Sequence, residues 1–197
     1  MTLQNGTISI MPIYTYGPII ARFLQADWLL SAVSGIGMTR NWNSPGPTMP
    51  EVYEHFYLNA DSISFWEVSH FVPDLVSINL GTNDFSEGDG SYKRAELDST
   101  KFVNDYIQFI RLIRKRHPQA QICCLGSPVF SGEKNIRLTN YLSMVVQYMK
   151  KVENDDKVHL FSFSGSYNQG CTGHPDQEEH QKMAEDLLPF IRKVMNW

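Results

Sequence analysis

The chain has 197 residues, 42% of them apolar and 19% charged, and a net charge of -4. That length supports one domain over residues 1–197 with a real core, and an acidic balance with no basic face argues against a nucleic-acid partner. No run approaches the ~20 apolar residues that span a bilayer, and residues 1–6 lack the basic start and apolar core of a signal peptide, so a soluble protein with no membrane partner is expected.

Residues 17–25 read as a helix, with Pro18 in its first turn, and residues 27–33 as a strand. Three prolines make residues 43–50 a loop, and residues 51–58 and 62–70 read as short helices. Residues 73–80 form a buried strand that Gly81 ends. A helix spans residues 96–117, with Phe102, Tyr106, Phe109 and Ile113 on one face and Pro118 as its stop. Arg111, Arg114, Lys115 and Arg116 near its end read as a solvated, dipole-favoured cluster.

Residues 121–125 are the next strand, broken by Gly126-Ser127-Pro128. Tyr141, Met144, Val145, Tyr148 and Val152 give the following helix its stripe. Residues 158–163 are the last strand. The final helix starts near Pro175 and buries Met183, Leu187, Phe190, Ile191 and Val194. Strands alternating with helices imply a parallel sheet covered on both faces, with ligands at the carboxyl ends of the strands.

Gly35, Asn83 and His174 each fall at or just past such an end. A histidine there serves as a general base, and a backbone N–H with a side-chain amide serves as a pair of oxyanion donors. His55, His70, His117 and His159 show no ligand spacing, so no metal is expected, and no cofactor is called for. Cys123, Cys124 and Cys171 are odd in number, with two adjacent in an apolar run, and do not form a disulfide framework.

The ordered blocks Tyr16-Gly17, Ser34-Gly35-Ile36-Gly37, Arg40-Asn41, Met49-Pro50, Pro73-Asp74-Leu75-Val76, Asn79-Leu80-Gly81-Thr82-Asn83-Asp84-Phe85 and Gly170-Cys171 with His174-Pro175, His180 and Ala184 resemble the SGNH (GDSL-type) hydrolases. Within these they resemble the catalytic domain of family-two carbohydrate esterases, which remove acetyl groups from sugars. The resemblance implies a three-layer α/β/α fold with a parallel, flavodoxin-like sheet. It also implies His174 as the base, Asn83 and Gly35 as the oxyanion donors, and an acetylated carbohydrate or small ester as substrate. Trp42, Trp66 and Asp84 are assigned to substrate binding, Trp42 and Trp66 as sugar-stacking faces and Asp84 also as a loop-shaping residue; His180 supports the site or lies on the surface.

The chain departs from that family where the nucleophile belongs. The family's Gly-Asp-Ser triplet is absent, so the first strand is altered or lost. In one alignment residues 7–10 are the first strand, Met11-Pro12-Ile13 occupies the triplet and Ile13 stands at the nucleophile. In the other, Tyr16-Gly17 belongs to a later element and the whole strand is gone. Ser9 and Thr15 are the nearest substitutes, and water activated by His174 is a further one. Cys171 stands where many family members carry the triad Asp, so a carbonyl of Cys171 or Thr172 is expected to orient His174. A central gap in the sheet would strand two rows of backbone groups, so residues 7–10 are expected to fill it, or else a neighbouring chain, giving a homo-oligomer. Three functional readings stand side by side: an ester hydrolase, a carbohydrate-binding pseudoenzyme, and an N-terminally truncated esterase.

Overall fold

The computed structural model describes residues 2–4, 7–9, 12–61, 64–65, 71–91 and 93–197. The elements are β1 (Thr2–Gln4), β2 (Thr7–Ser9), α1 (Tyr16–Leu24), α2 (Met49–Val52), β3 (Leu75–Ile78), α3 (Ser99–Arg116), β4 (Gln121–Leu125), α4 (Gly132–Lys151), β5 (Val158–Phe161) and α5 (Gln177–Met195). Strands β3, β4 and β5 form a parallel sheet in that order. Helices α3 and α4 pack together, as do α1 and α5.

β4 shows why the run Gln121-Ile122-Cys123-Cys124-Leu125 is apolar throughout. Successive strand side chains point to opposite faces. Ile122 and Cys124 join one core with Phe102, Ile110, Leu138 and Val145, from α3 and α4. Cys123 and Leu125 join the other with Ile19, Ile20, Met183 and Leu187, from α1 and α5. Both faces of the sheet are therefore covered, which is the expected three-layer α/β/α arrangement. Burial pushes the Cys123 thiol up to about 12 and that of Cys124 higher still, so neither is a thiolate at neutral pH.

The helix ends follow their capping residues. The Asp98 carboxylate accepts from Lys101 N and starts α3 at Ser99, three residues later than the periodicity implied. Asp176 and Glu179 form a capping box that starts α5 at Gln177. The basic residues at the end of α3 are not a solvated cluster. Arg114 holds Asp155 through Nε at 2.8 Å and Nη2 at 3.0 Å, Arg116 holds Glu54 at 2.6 Å, and Arg111 pairs with Glu153.

The N-terminal third differs most from the sequence reading. Residues 7–9 do not fill a gap in the parallel sheet. β2 pairs antiparallel with β1, Leu3 opposite Ile8, in a separate two-stranded sheet. Residues 27–33 form no strand and are exposed, with Trp28 at 42%, Leu29 at 51% and Leu30 at 48%. A strand exists only where a neighbouring ladder takes its backbone groups. Among the described residues, β3 has a strand neighbour on one side only. The segment that would lie beyond the missing neighbour therefore has nothing to pair with. The short helix expected over 51–58 is only the four-residue α2, preceded by a Thr48–Glu51 capping box. Most of 62–70 lies outside the described residues.

Candidate active site

Two of the candidate loops, 34–41 and 81–85, are joined by hydrogen bonds, and a third, beyond β5, carries His174. The first, residues 34–41, is a tight turn. Gly35 sits at φ +78°, and its carbonyl accepts from Trp42 N at 2.8 Å. At Gly37 a side chain is sterically barred, because a Cβ would lie 2.0 Å from the Arg40 carbonyl oxygen. Asn41 fills the turn, accepting from Gly37 N at 2.9 Å and donating to the Gly46 and Pro47 carbonyls.

The second loop, 81–85, is tied directly to the first. Asn83 Nδ2 donates to the Ile36 carbonyl at 2.7 Å, which spends one of its two amide hydrogens and leaves the other for a ligand. Asp84 is fully buried. Its Oδ2 accepts from Met38 N at 2.9 Å, and its Oδ1 from Thr39 N at 2.6 Å and Arg40 N at 3.0 Å. Burial pushes this carboxyl upward, and those backbone N–H groups oppose the shift. Asp84 is thus a clamp between two loops. Its assignment to substrate contact is corrected, since no part of the side chain reaches the surface. Arg94 braces the same turn through the Asn83, Ser86 and Asn41 carbonyls, and Thr82 Oγ1 donates to Ser127 Oγ in the loop after β4 at 2.9 Å.

The third loop carries His174, which is exposed. Its Nδ1 lies 3.0 Å from Thr172 Oγ1 and 3.3 Å from the Cys171 carbonyl. The Thr172 hydroxyl already donates to the Cys171 carbonyl at 2.7 Å. It can therefore only accept from the ring, so Nδ1 carries a proton. Among the described residues no carboxylate hydrogen-bonds this ring. Of the two carbonyls expected to orient the ring, that of Cys171 lies at Nδ1, and Thr172 contributes its hydroxyl instead, in a left-handed turn at φ +56°. The loop is anchored by the buried Glu179, which accepts from Asn168 N, Gln169 N and Asp176 N.

His180 is buried rather than at the surface. Its ring stacks on Tyr16 with centroids 6.2 Å apart, and the Tyr16 hydroxyl accepts from Asn79 Nδ2 at 3.2 Å. This chain of contacts links the start of α1, the end of β3 and the first turns of α5. Burial holds the pKa values of His180, His117 and His159 below the usual imidazole value. A neutral native histidine leaves the unfolded state binding more protons. Stability is then present above the unfolded pKa of about 6.5 and is lost as pH falls below it. Urea unfolding is expected to show stability declining from pH ~7 to ~5.5, and His180→Phe should flatten part of that slope. A pH-independent midpoint over this range would contradict the assignment.

The other candidates are scattered. Thr15 Oγ1 donates to the Pro12 carbonyl at 2.7 Å. Trp42 follows the Gly35 turn and is 43% exposed. Ser9 lies in β2, whose backbone alone is described, and Trp66 lies outside the described residues. Among the described residues no group of three His, Cys, Asp or Glu side chains is placed to hold a metal.

The GDSL-like lipase/acylhydrolase family model matches residues 11–187. The chain is 36% identical over 187 residues to the cellulase/esterase CelE of Acetivibrio thermocellus, covering 93% of this chain and 22% of that protein. It is 28% identical over 185 residues to an acetylxylan esterase / glucomannan deacetylase of Cellvibrio japonicus, covering 93% and 49%. The chain thus spans half or less of the length of these relatives. A solved family-two carbohydrate esterase from Clostridium thermocellum, in complex with cellohexaose, superimposes with a TM-score of 0.83 at 33% identity, over 94% of this chain and 55% of that one. With this fold, these loops and this extent of match, the chain belongs to the GDSL-like lipase/acylhydrolase family, and its relatives there are family-two carbohydrate esterases.

Proposed function

We propose that the chain is a single hydrolase domain whose site acts on carboxylic esters, with acetylated carbohydrate as the substrate class. The observation that carries this reading is the state of His174. Its Nδ1 is engaged by the Cys171 carbonyl and Thr172 Oγ1, which leaves Nε2 as the ring nitrogen available to act on a substrate. The Asn83–Ile36 bond couples the two loops that would hold the oxyanion. Deacetylation is supported by the relatives described as acetylxylan esterases, and a saccharide ligand by the cellohexaose of the structural neighbour.

His174 Nε2 takes a proton from the attacking oxygen as that oxygen bonds to the ester carbonyl carbon. Negative charge then develops on the carbonyl oxygen, where Asn83 Nδ2 and Gly35 N–H stabilise it. Collapse breaks the bond to the sugar oxygen, and His174 returns the proton to it. The attacking oxygen comes from water, which releases acetate directly, or from a substitute hydroxyl, Ser9 or Thr15, which holds the acetyl group as an ester until water, deprotonated by His174, attacks it and frees acetate and the hydroxyl. A chromogenic acetate ester should be turned over slowly. His174→Ala is expected to cost about 100-fold or more of that rate, the usual worth of a positioned general base. Equal turnover by the variant sinks the reading. Fluorophosphonate labelling with peptide mapping identifies any hydroxyl that attacks.

A second reading, a carbohydrate-binding pseudoenzyme, is supported by the missing Gly-Asp-Ser triplet and by the exposed face of Trp42. Calorimetric binding of cello-oligosaccharides with no ester turnover separates it from the first. Self-association through the edge of β3 that has no strand neighbour among the described residues is proposed alongside either reading.

A further inference from the structure

A cavity of about 680 Å³ lies beside the Asn83 turn, lined by residues of 85–97, by Arg40 and by Lys134 and Arg137 of α4. Five of its lining side chains are cationic, namely Arg40, Lys93, Arg94, Lys134 and Arg137. Two are carboxylates, Glu87 and Glu96. The whole chain has a net charge of -4, so this concavity runs against the sign of the molecule. A cleft of one sign concentrates ligands of the other.

The cations are arranged in two ways. Arg94 is immobilised by the Asn83, Ser86 and Asn41 carbonyls, which orient it without neutralising it. Arg137 lies 5.7 Å from the centre of the Phe85 ring. Lys134 meets Glu87 at 2.6 Å and Arg137 meets Glu96 at 3.5 Å, but both carboxylates are more than four-fifths exposed. Such exposed pairs are weak, and an incoming carboxylate can replace them. Lys93 is exposed and has no ion pair among the described residues.

The cavity is also mechanically continuous with the ester site. Asn83 faces the Ile36 loop, and Phe85, two residues on, faces the cavity. Arg94 lines the cavity and holds the Asn83 carbonyl. A ligand seated here lies against the same turn that presents the oxyanion donor.

We propose that this cavity is a subsite for a carboxylate-bearing sugar, a uronic acid unit of the polysaccharide whose ester reaches His174. That the anion belongs to a saccharide rests on the esterase reading; that the cavity takes a carboxylate rests on its own charge and geometry. The volume suits one or two sugar rings.

Binding is tested by calorimetric titration of trigalacturonate and, separately, of neutral cellotriose, at low and high salt. The parent chain should bind the acidic trimer more tightly at low salt and lose that advantage at high salt. The exposed double substitution Lys93→Ala with Lys134→Gln should weaken the acidic trimer about tenfold or more and leave the neutral one unchanged. His174→Ala should bind the acidic trimer like the parent, so a failed esterase reading does not obscure the result. Equal binding of both trimers, or no loss in the double variant, overturns the proposal. Full displacement by an equal concentration of inorganic phosphate also overturns it, since only a bare anion site would then remain.

Discussion

Ile13→Ser is expected to raise acetate-ester turnover by about 100-fold or more over the parent chain. Losing a serine nucleophile outright costs on the order of a million-fold in a serine hydrolase, and the remaining machinery retains a much smaller acceleration. Restoring a hydroxyl near the base recovers part of that gap. One family alignment puts Ile13 at the nucleophile, and although residues 7–9 pair with β1 rather than joining the parallel sheet, the turn that carries Ile13 is fixed near α5. The turn Pro12–Tyr14 packs against α5, and Tyr16, three residues on, stacks on His180 in the second turn of that helix. His174 lies just before the same helix begins. Ile13 is 44% exposed, so a smaller polar side chain leaves no buried cavity. Its backbone is held by Arg22 Nη1, which donates to the Ile13 carbonyl at 2.6 Å. Fluorophosphonate should label the variant at position 13. Unchanged turnover with no label at that position would show that the turn does not reach His174, and would favour the alignment in which the nucleophile strand is wholly missing.

Asp84→Ala is expected to cost about 3–5 kcal/mol of unfolding free energy, a large part of the 5–15 kcal/mol typical of a domain. The carboxylate accepts three backbone N–H groups from the neighbouring loop, and it is fully buried, so water does not replace it there. Alanine strands those donors and leaves a void. Asp84→Asn is expected to cost roughly half as much: one oxygen still accepts, while the amide NH2 opposes a donor. Urea unfolding measures both. A loss under about 1 kcal/mol for the alanine variant would mean that the 34–41 loop finds other acceptors at little cost. The same substitution should lower ester turnover more than it raises KM, because Gly35 and Ile36 sit on the loop that Asp84 holds.

Much of this molecule was legible from residue order alone. The helices over 99–116, 132–151 and 177–195 follow from apolar periodicity with capping residues, because an amphipathic stripe fixes which face is buried. The apolar run 121–125 marks a strand buried on both faces, because only a covered parallel sheet accepts one. The placement of Asn83 just past β3 follows from a strand boundary, and the family resemblance from the blocks around it, whereas the strand expected before Gly35 does not form.

Other features depend on contacts between residues far apart in the chain. Asp84 looks like any polar residue after Asn83; only the approach of residues 38–40 makes it a clamp. Residues 27–33 have strand-like composition but form none, because strand structure needs a partner and β3 provides none on that side. Residues 7–9 pair locally with 2–4, since the nearest ladder is the one that forms. The basic cavity draws on residues from 40, 93–94 and 134–137, and so exists only once α4 packs beside the loop after β3. Local pattern determines which residues are buried; long-range packing decides which polar groups meet.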